Sequence, residues 1–216
     1  MPELDFLVRG AAVSANAAIP AVELALEIVN RPASERIHTI VLRCQVQIET
    51  PRRRYTAQEG EALHDLFGEP ERWSQTLRPL LWSNLSVVVP AFTGSATVAL
   101  PLPCTFDFDA GANKFFYALD GGRIPLGLMF SGTVFHQPEG RHLQAAPISW
   151  SSGVRFDFPV ELWKRCLDAY YPNTALLAVR RDVFERLYRY KVHHGLASLD
   201  EAIEQATEAP LAAGAR

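Results

Sequence analysis

From His38 to Ile48, and again from Ala96 to Phe108, the even-numbered residues are apolar or nearly so, while the odd-numbered ones are mostly polar, small or proline. The first run carries His38, Ile40, Leu42, Cys44, Val46 and Ile48 on one parity. The second carries Val98, Leu100, Leu102, Cys104, Phe106 and Phe108. A period of two marks a strand with one buried and one wetted face. Residues 5–13, 20–29, 84–92, 114–119, 123–136 and 142–158 read as further strands, the second of them alternating Val22, Leu24, Leu26 and Ile28 with Glu23, Ala25 and Glu27. Thr93-Gly94-Ser95, Asp120-Gly121-Gly122 and Pro138-Glu139-Gly140 read as the turns between neighbouring strands. Pro101 and Pro103 lack ladder donors, so their strand belongs at a sheet edge or a bulge. The pattern predicts a mainly β protein, an antiparallel two-sheet β-sandwich with a helical insertion and C-terminal helices (α+β).

The insertion occupies residues 51–83, where the alternation stops. Thr56 and Glu59 form a capping-box pattern, Leu63, Leu66 and Phe67 share a helical face, and Gly68 and Pro70 end that helix. A second short helix is expected around Trp73 and Leu77. After Phe158, Leu162, Trp163, Cys166, Leu167 and Tyr170 form one apolar helical stripe. Asp182 with Glu185, and Ser198 with Glu201, repeat the capping-box pattern. They open a helix to Gly195 and a short one over Ala202, Ile203 and Ala206. The expected organisation is a sandwich over 1–158 containing the insertion, a helical extension over 159–206 packed on it, and a frayed tail over 207–216.

Length and charge narrow the function classes. The 216 residues suit one domain, or one domain with an appendage, and 48% apolar with 21% charged residues is the balance of a globule. A net charge of -3 gives no global pull toward nucleic acid or anionic membrane. Glu3, Asp5 and Arg9 stand where a secretory leader would need a basic and then an apolar stretch, so a cytoplasmic protein is expected. The uncharged run from Pro79 to Phe106 holds Pro79, Pro90, Pro101 and Pro103 and alternates, which argues against a membrane span. Cys44 and Cys104 share core parity; an inter-sheet disulfide between them and three buried free thiols, with Cys166, both stay open.

No motif names a reaction, and no cofactor is expected. Asp107 and Asp109 project from one strand face and fit either a cation or acid–base pair or a solvated strand end. The histidines His38, His64, His136, His142, His193 and His194 show no zinc spacing; His38, at core parity, reads as an interior residue. Ser149, Ser151 and Ser152 lack a nucleophile elbow, and Gly121-Gly122 leads into a strand rather than a phosphate-binding helix. Arg180, Arg181, Arg186, Arg189 and Lys191 first resemble a nucleic-acid helix. Asp182–Arg186 and Glu185–Arg189 pairs at i,i+4 would consume that charge, and Val183, Phe184, Leu187, Tyr188 and Tyr190 would dock on the sandwich. Arg52, Arg53 and Arg54 sit where the strand ends and the insertion begins. They suit an acidic partner surface or a solvated loop.

Several stretches together resemble an uncharacterised bacterial family, a domain of unknown function covering nearly the whole chain. They are Ile37-His38-Thr39 with Leu42-Arg43-Cys44-Gln45, residues 65–73 (DLFGEPERW), 103–108 (PCTFDF), 130–135 (FSGTVF) and 181–188 (RDVFERLY). The resemblance implies a gene neighbourhood shared with uptake-type NiFe hydrogenases and their accessory proteins, and it assigns no functional residue. The resulting expectation is a non-enzymatic interaction protein with a protein partner, a hydrogenase subunit or accessory protein being the one the resemblance points to. Arg52, Arg53, Arg54, Arg72 and Trp73 form the expected contact patch, because interface energy concentrates in Trp and Arg. The rival is a small-ligand or metal binder, or an enzyme, whose site forms only in three dimensions from Asp107, Asp109, His136 and His142.

Overall fold

The computed structural model describes residues 2–15, 17–104, 110–138, 142–149, 152–174 and 179–213. The chain divides into two units, Met1–Thr174 and Ala175–Arg216. The strands of the first unit are β1 (Glu3–Val13), β2 (Ala21–Arg31), β3 (Arg36–Ile48), β4 (Leu80–Val89), β5 (Phe92–Thr93), β6 (Ser95–Pro103), β7 (Arg123–Gln137), β8 (Gln144–Pro147) and β9 (Gly153–Pro159). One antiparallel sheet has the order β1-β2-β6, which puts the proline-bearing β6 at an edge, as its missing donors require. The other has the order β4-β3-β7-β8, with β5 adding to β3 and β9 to β7.

Alternation decides what lies between the sheets. Val22, Leu24, Leu26, Ile28, Leu100 and Leu102 from the first sheet and Ile40, Leu42, Val46, Ile48, Leu126 and Leu128 from the second share one buried core. Each contributes about 1.5–3 kcal/mol by leaving water. Phe6 of β1 stacks on Phe130 of β7, their ring centroids 4.3 Å apart, so the sheets meet directly.

Four expectations are corrected by long-range structure. His38 lies outside the core: the β3–β7 register shifts between Ile37 and Thr39, which buries Ile37 and turns His38 toward Gln137. Thr93-Gly94-Ser95 does not close a hairpin, because β5 pairs with β3 while β6 pairs with β2. Gly94, at φ +75°, carries the chain between the sheets, and its carbonyl accepts the Asn30 amide at 2.8 Å. Residues 114–119 are not a strand. They belong largely to helix α4 (Ala110–Tyr117), and Phe115 and Phe116, with Ala112 and Leu119, are buried at helical spacing. The 142–158 stretch is two strands rather than one, β8 and β9, both paired with β7. Asp107, Asp109, Trp150 and Ser151 lie outside the described residues.

The insertion contains α1 (Ala57–Ala62), α2 (His64–Phe67) and α3 (Trp73–Thr76); α4 is Ala110–Tyr117 and α5 is Val160–Tyr170. α5 lies within the first unit and buries Val160, Leu162, Trp163 and Cys166. Trp163 stacks on Phe116 at 4.9 Å, and Phe116 meets Trp82 and Phe158, so α4, α5 and β4 join in one aromatic cluster. The second unit holds α6 (Arg181–His193) and α7 (Leu199–Ala213). α7 is capped by Ser198, whose hydroxyl accepts the Glu201 amide at 3.1 Å, and it continues past Thr207, where composition predicts fraying.

Candidate interaction surfaces

The insertion is fastened from inside. Thr56 caps α1: its hydroxyl accepts the Glu59 amide, and the Glu59 carboxylate accepts the Thr56 amide, each at 3.1 Å. That box aims the second Glu59 oxygen inward, where it accepts the Asp120 amide at 3.1 Å and Arg53 Nη2 at 2.6 Å. The same Nη2 donates to the Gly121 carbonyl at 2.7 Å. The Arg53 and Glu59 side chains are only 11% and 2% exposed, so this is a buried ion pair. Arg53 Nη1 is buried with no hydrogen-bond partner. At the base, Tyr55 donates to the Thr50 carbonyl at 2.8 Å, and Thr50 donates to the Arg78 carbonyl at 2.6 Å, tying entry to exit.

Of the expected contact patch, Arg53 is thus spent internally and Trp73 is half-buried. The Trp73 indole donates to the Gly68 carbonyl at 2.9 Å, and its ring meets Tyr55 and Phe67 edge-on. Tyr55 and Phe67 in turn meet Phe115 of α4, so the insertion buttresses α4. Arg52, Arg54 and Arg72 are exposed; Arg52 pairs with Glu49 at 2.9 Å. Burial raises the Tyr55 phenol above its ordinary value; Arg53 pulls it down and Glu59 pushes it up by smaller amounts.

Of the groups proposed for a site formed in three dimensions, His136 and His142 are described, whereas Asp107 and Asp109 lie outside the described residues. His136 is buried and bonded through Nδ1 to Glu35, a residue sequence reading missed because it lies 101 positions away in the β2–β3 turn. Asn30 donates to the Pro32 and Glu35 carbonyls in that turn, at 3.1 and 2.9 Å. His142 is exposed. Among the described residues, no three His, Cys, Asp or Glu side chains group to hold a metal ion, and no helix is long and apolar enough to cross a membrane. An open cleft of about 590 Å³ is lined by Glu3, Asp5 and Phe6 of β1 and by Ser149, Ser152 and Gly153. Its Asp5 carboxylate is paired with Arg31 at 2.7 Å.

On α6, Val183, Leu187 and Tyr190 are half-buried. Phe184, Tyr188 and Val192, at i, i+4 and i+8, are 45%, 51% and 64% exposed. The Asp182 cap does not form: Arg180 occupies the N-cap, and Asp182 instead pairs with Arg180 at 3.2 Å and Arg186 at 3.8 Å. Nor does Glu185 take Arg189, whose guanidinium donates to the Glu185 carbonyl at 3.3 Å. Lys191 lies 5.9 Å from the Tyr188 ring centroid. The charge expected to cancel along α6 therefore remains partly available beside an apolar stripe.

No curated protein and no solved structure matches the chain. The model of a family of unknown function, DUF6084, matches residues 1–212, and the chain belongs to that family.

Proposed function

We propose that this chain is a non-enzymatic cytoplasmic interaction protein, an accessory factor in the assembly or maturation of a NiFe hydrogenase. The observation that carries the reading is the α6 stripe, three large apolar side chains held in water at helical spacing. Its occupant is a protein segment with an apolar ridge and an acidic flank. Residues 180–194 hold five Arg or Lys against two acids, while the whole chain carries -3. The first unit separately exposes cations at Arg52, Arg54 and Arg72 on the braced insertion. The hydrogenase identity of that partner comes from the gene neighbourhood that the family resemblance implies.

Tagged full-length protein purified from its native host, with the eluate identified by mass spectrometry, tests the proposal. Hydrogenase subunits or accessory proteins are expected with the wild type and lost with Phe184→Ser/Tyr188→Ser, whose thermal unfolding stays unchanged. Recovery of the same proteins with the double variant removes α6 from the contact; their absence from the wild-type eluate removes the hydrogenase. A second reading, small-ligand binding, is favoured by the β1 cleft and predicts a thermal-shift response that Asp5→Ala changes.

A further inference from the structure

β1 is an edge strand with an open flank. Among the described residues it pairs only with β2, and the register slips between Val8 and Gly10, so its flat stretch is the first half. Hydrogen-bond parity fixes which backbone groups that half leaves over. Along a strand, successive residues turn their N–H and C=O groups alternately to its two sides. The Ala21 carbonyl of β2 accepts the Ser14 amide on the β1 side, and the Asn30 amide donates to the Gly94 carbonyl on the β6 side. Odd-numbered residues of β2 therefore serve β1, and even-numbered ones serve β6. Leu4 and Phe6 stand opposite Asn30 and Ile28, both even, so their N–H and C=O groups point away from β2. Among the described residues no other backbone group bonds them. The cleft of about 590 Å³ lies along this flank, lined by Glu3, Leu4, Asp5 and Phe6 in succession and by Val134 and Ile148 across it. Consecutive residues alternate faces, so what those four share is the edge of the strand.

We propose that this edge takes up a short peptide in extended form, antiparallel to β1, as a fourth strand of the first sheet. It rests on the reading of the cleft as a ligand site and assigns the ligand's class. The N–H and C=O groups of Leu4 and Phe6, two residues apart, are matched in register by a second strand. The first sheet has three strands and the second is four wide, β4-β3-β7-β8, so an added strand fills out the narrower layer. The cleft has the volume of an ordinary ligand pocket, and Glu3–Phe6 offers length for about four residues at ~3.3 Å each. Alternation sets the sequence taken. Peptide residues opposite Leu4 and Phe6 turn inward toward Val134 and Ile148 and are apolar. Those between them turn outward beside two carboxylates, Glu3 and Asp5, of which Arg31 pairs with Asp5; the remaining charge favours Lys. A second copy of β1 would instead set Glu3 and Asp5 against their own kind, which disfavours self-pairing.

Isotope-labelled full-length protein titrated with an acetylated, amidated peptide of alternating Lys and Val tests this, by NMR for the site and calorimetry for the affinity. The expected result is saturable shifts of the Leu4 and Phe6 amides. N-methylation of the Val amides, which face β1, should weaken binding at least about tenfold, and N-methylation of the Lys amides, which face away, should leave it within about threefold. Leu4→Pro removes an N–H that β2 does not use, so it should abolish binding with little change in thermal unfolding. Shifts at the cleft with equal affinity for the two N-methylated peptides would overturn strand addition and leave the cleft as a ligand site. No shift at the cleft would also overturn it, and the ligand reading then stands only if non-peptide molecules still give the thermal response that Asp5→Ala changes. A dimer that forms with rising concentration and that Leu4→Pro dissolves would give the edge to a second copy and overturn the proposal as well.

Discussion

The insertion and α6 draw on the same residues, arginines beside tyrosines and a large aromatic, and put them to opposite use. In the insertion Arg53 finds a buried carboxylate and a backbone carbonyl, and Tyr55 and Trp73 find Phe67 and Phe115. On α6, Phe184 and Tyr188 stand in water, and the guanidiniums reach only a carboxylate or carbonyl on the same exposed surface. Side-chain chemistry is common to both, so it does not decide the outcome. An arginine becomes a fastener when folding delivers a desolvated acid to it; on an open helix it stays available to a partner.

The sharpest way to break that contrast is Glu59→Ala, which leaves Arg53 buried without its counter-charge. It should cost about 3–5 kcal/mol in urea unfolding, and a loss under about 1 kcal/mol would mean the pair does not fasten the insertion. Trp73→Ala should cost about 2 kcal/mol, below the value for a fully buried Trp, because part of its ring is already wet. Third, the raised Tyr55 phenol favours folding below the unfolded value of 10.0, and that contribution is lost as pH rises beyond it. Allowing for its partial exposure, stability should fall by about 1 kcal/mol between pH 10 and 11, and Tyr55→Phe should flatten that slope. Smallest of all, Phe184→Ser and Tyr188→Ser should each move stability by about 0.5 kcal/mol or less. A larger loss by calorimetry would show that the stripe already has a partner within the chain.

A separate check concerns β7, where Gly132 sits at φ +140° and an added Cβ would fall 2.0 Å from the Val41 carbonyl oxygen. Gly132→Ala should therefore cost at least about 1–3 kcal/mol, because the β3–β7 ladder must part to admit it.

Much of the sandwich was legible because parity is local. Leu42 and Cys44, or Leu100 and Leu102, announce a buried face whatever they pair with. The α4 signal was legible too, in Ala112, Phe115, Phe116 and Leu119, but the aromatic run over 115–117 also fits a strand by propensity. The contact patch was read from composition, and composition does not say which way a side chain turns. Arg53 and Arg54 are neighbours, yet one is nearly buried and the other exposed.

By itself, then, the sequence determined where most strands run, which side of most is oily, and where α1 and α7 begin, since periods and caps are properties of a few adjacent residues. Tertiary structure decided which sheet each strand joins and which arginine meets Glu59. Those outcomes depend on groups far apart along the chain, such as Arg53 and Gly121, 68 positions apart. Only the closing of the core brings them within bonding distance.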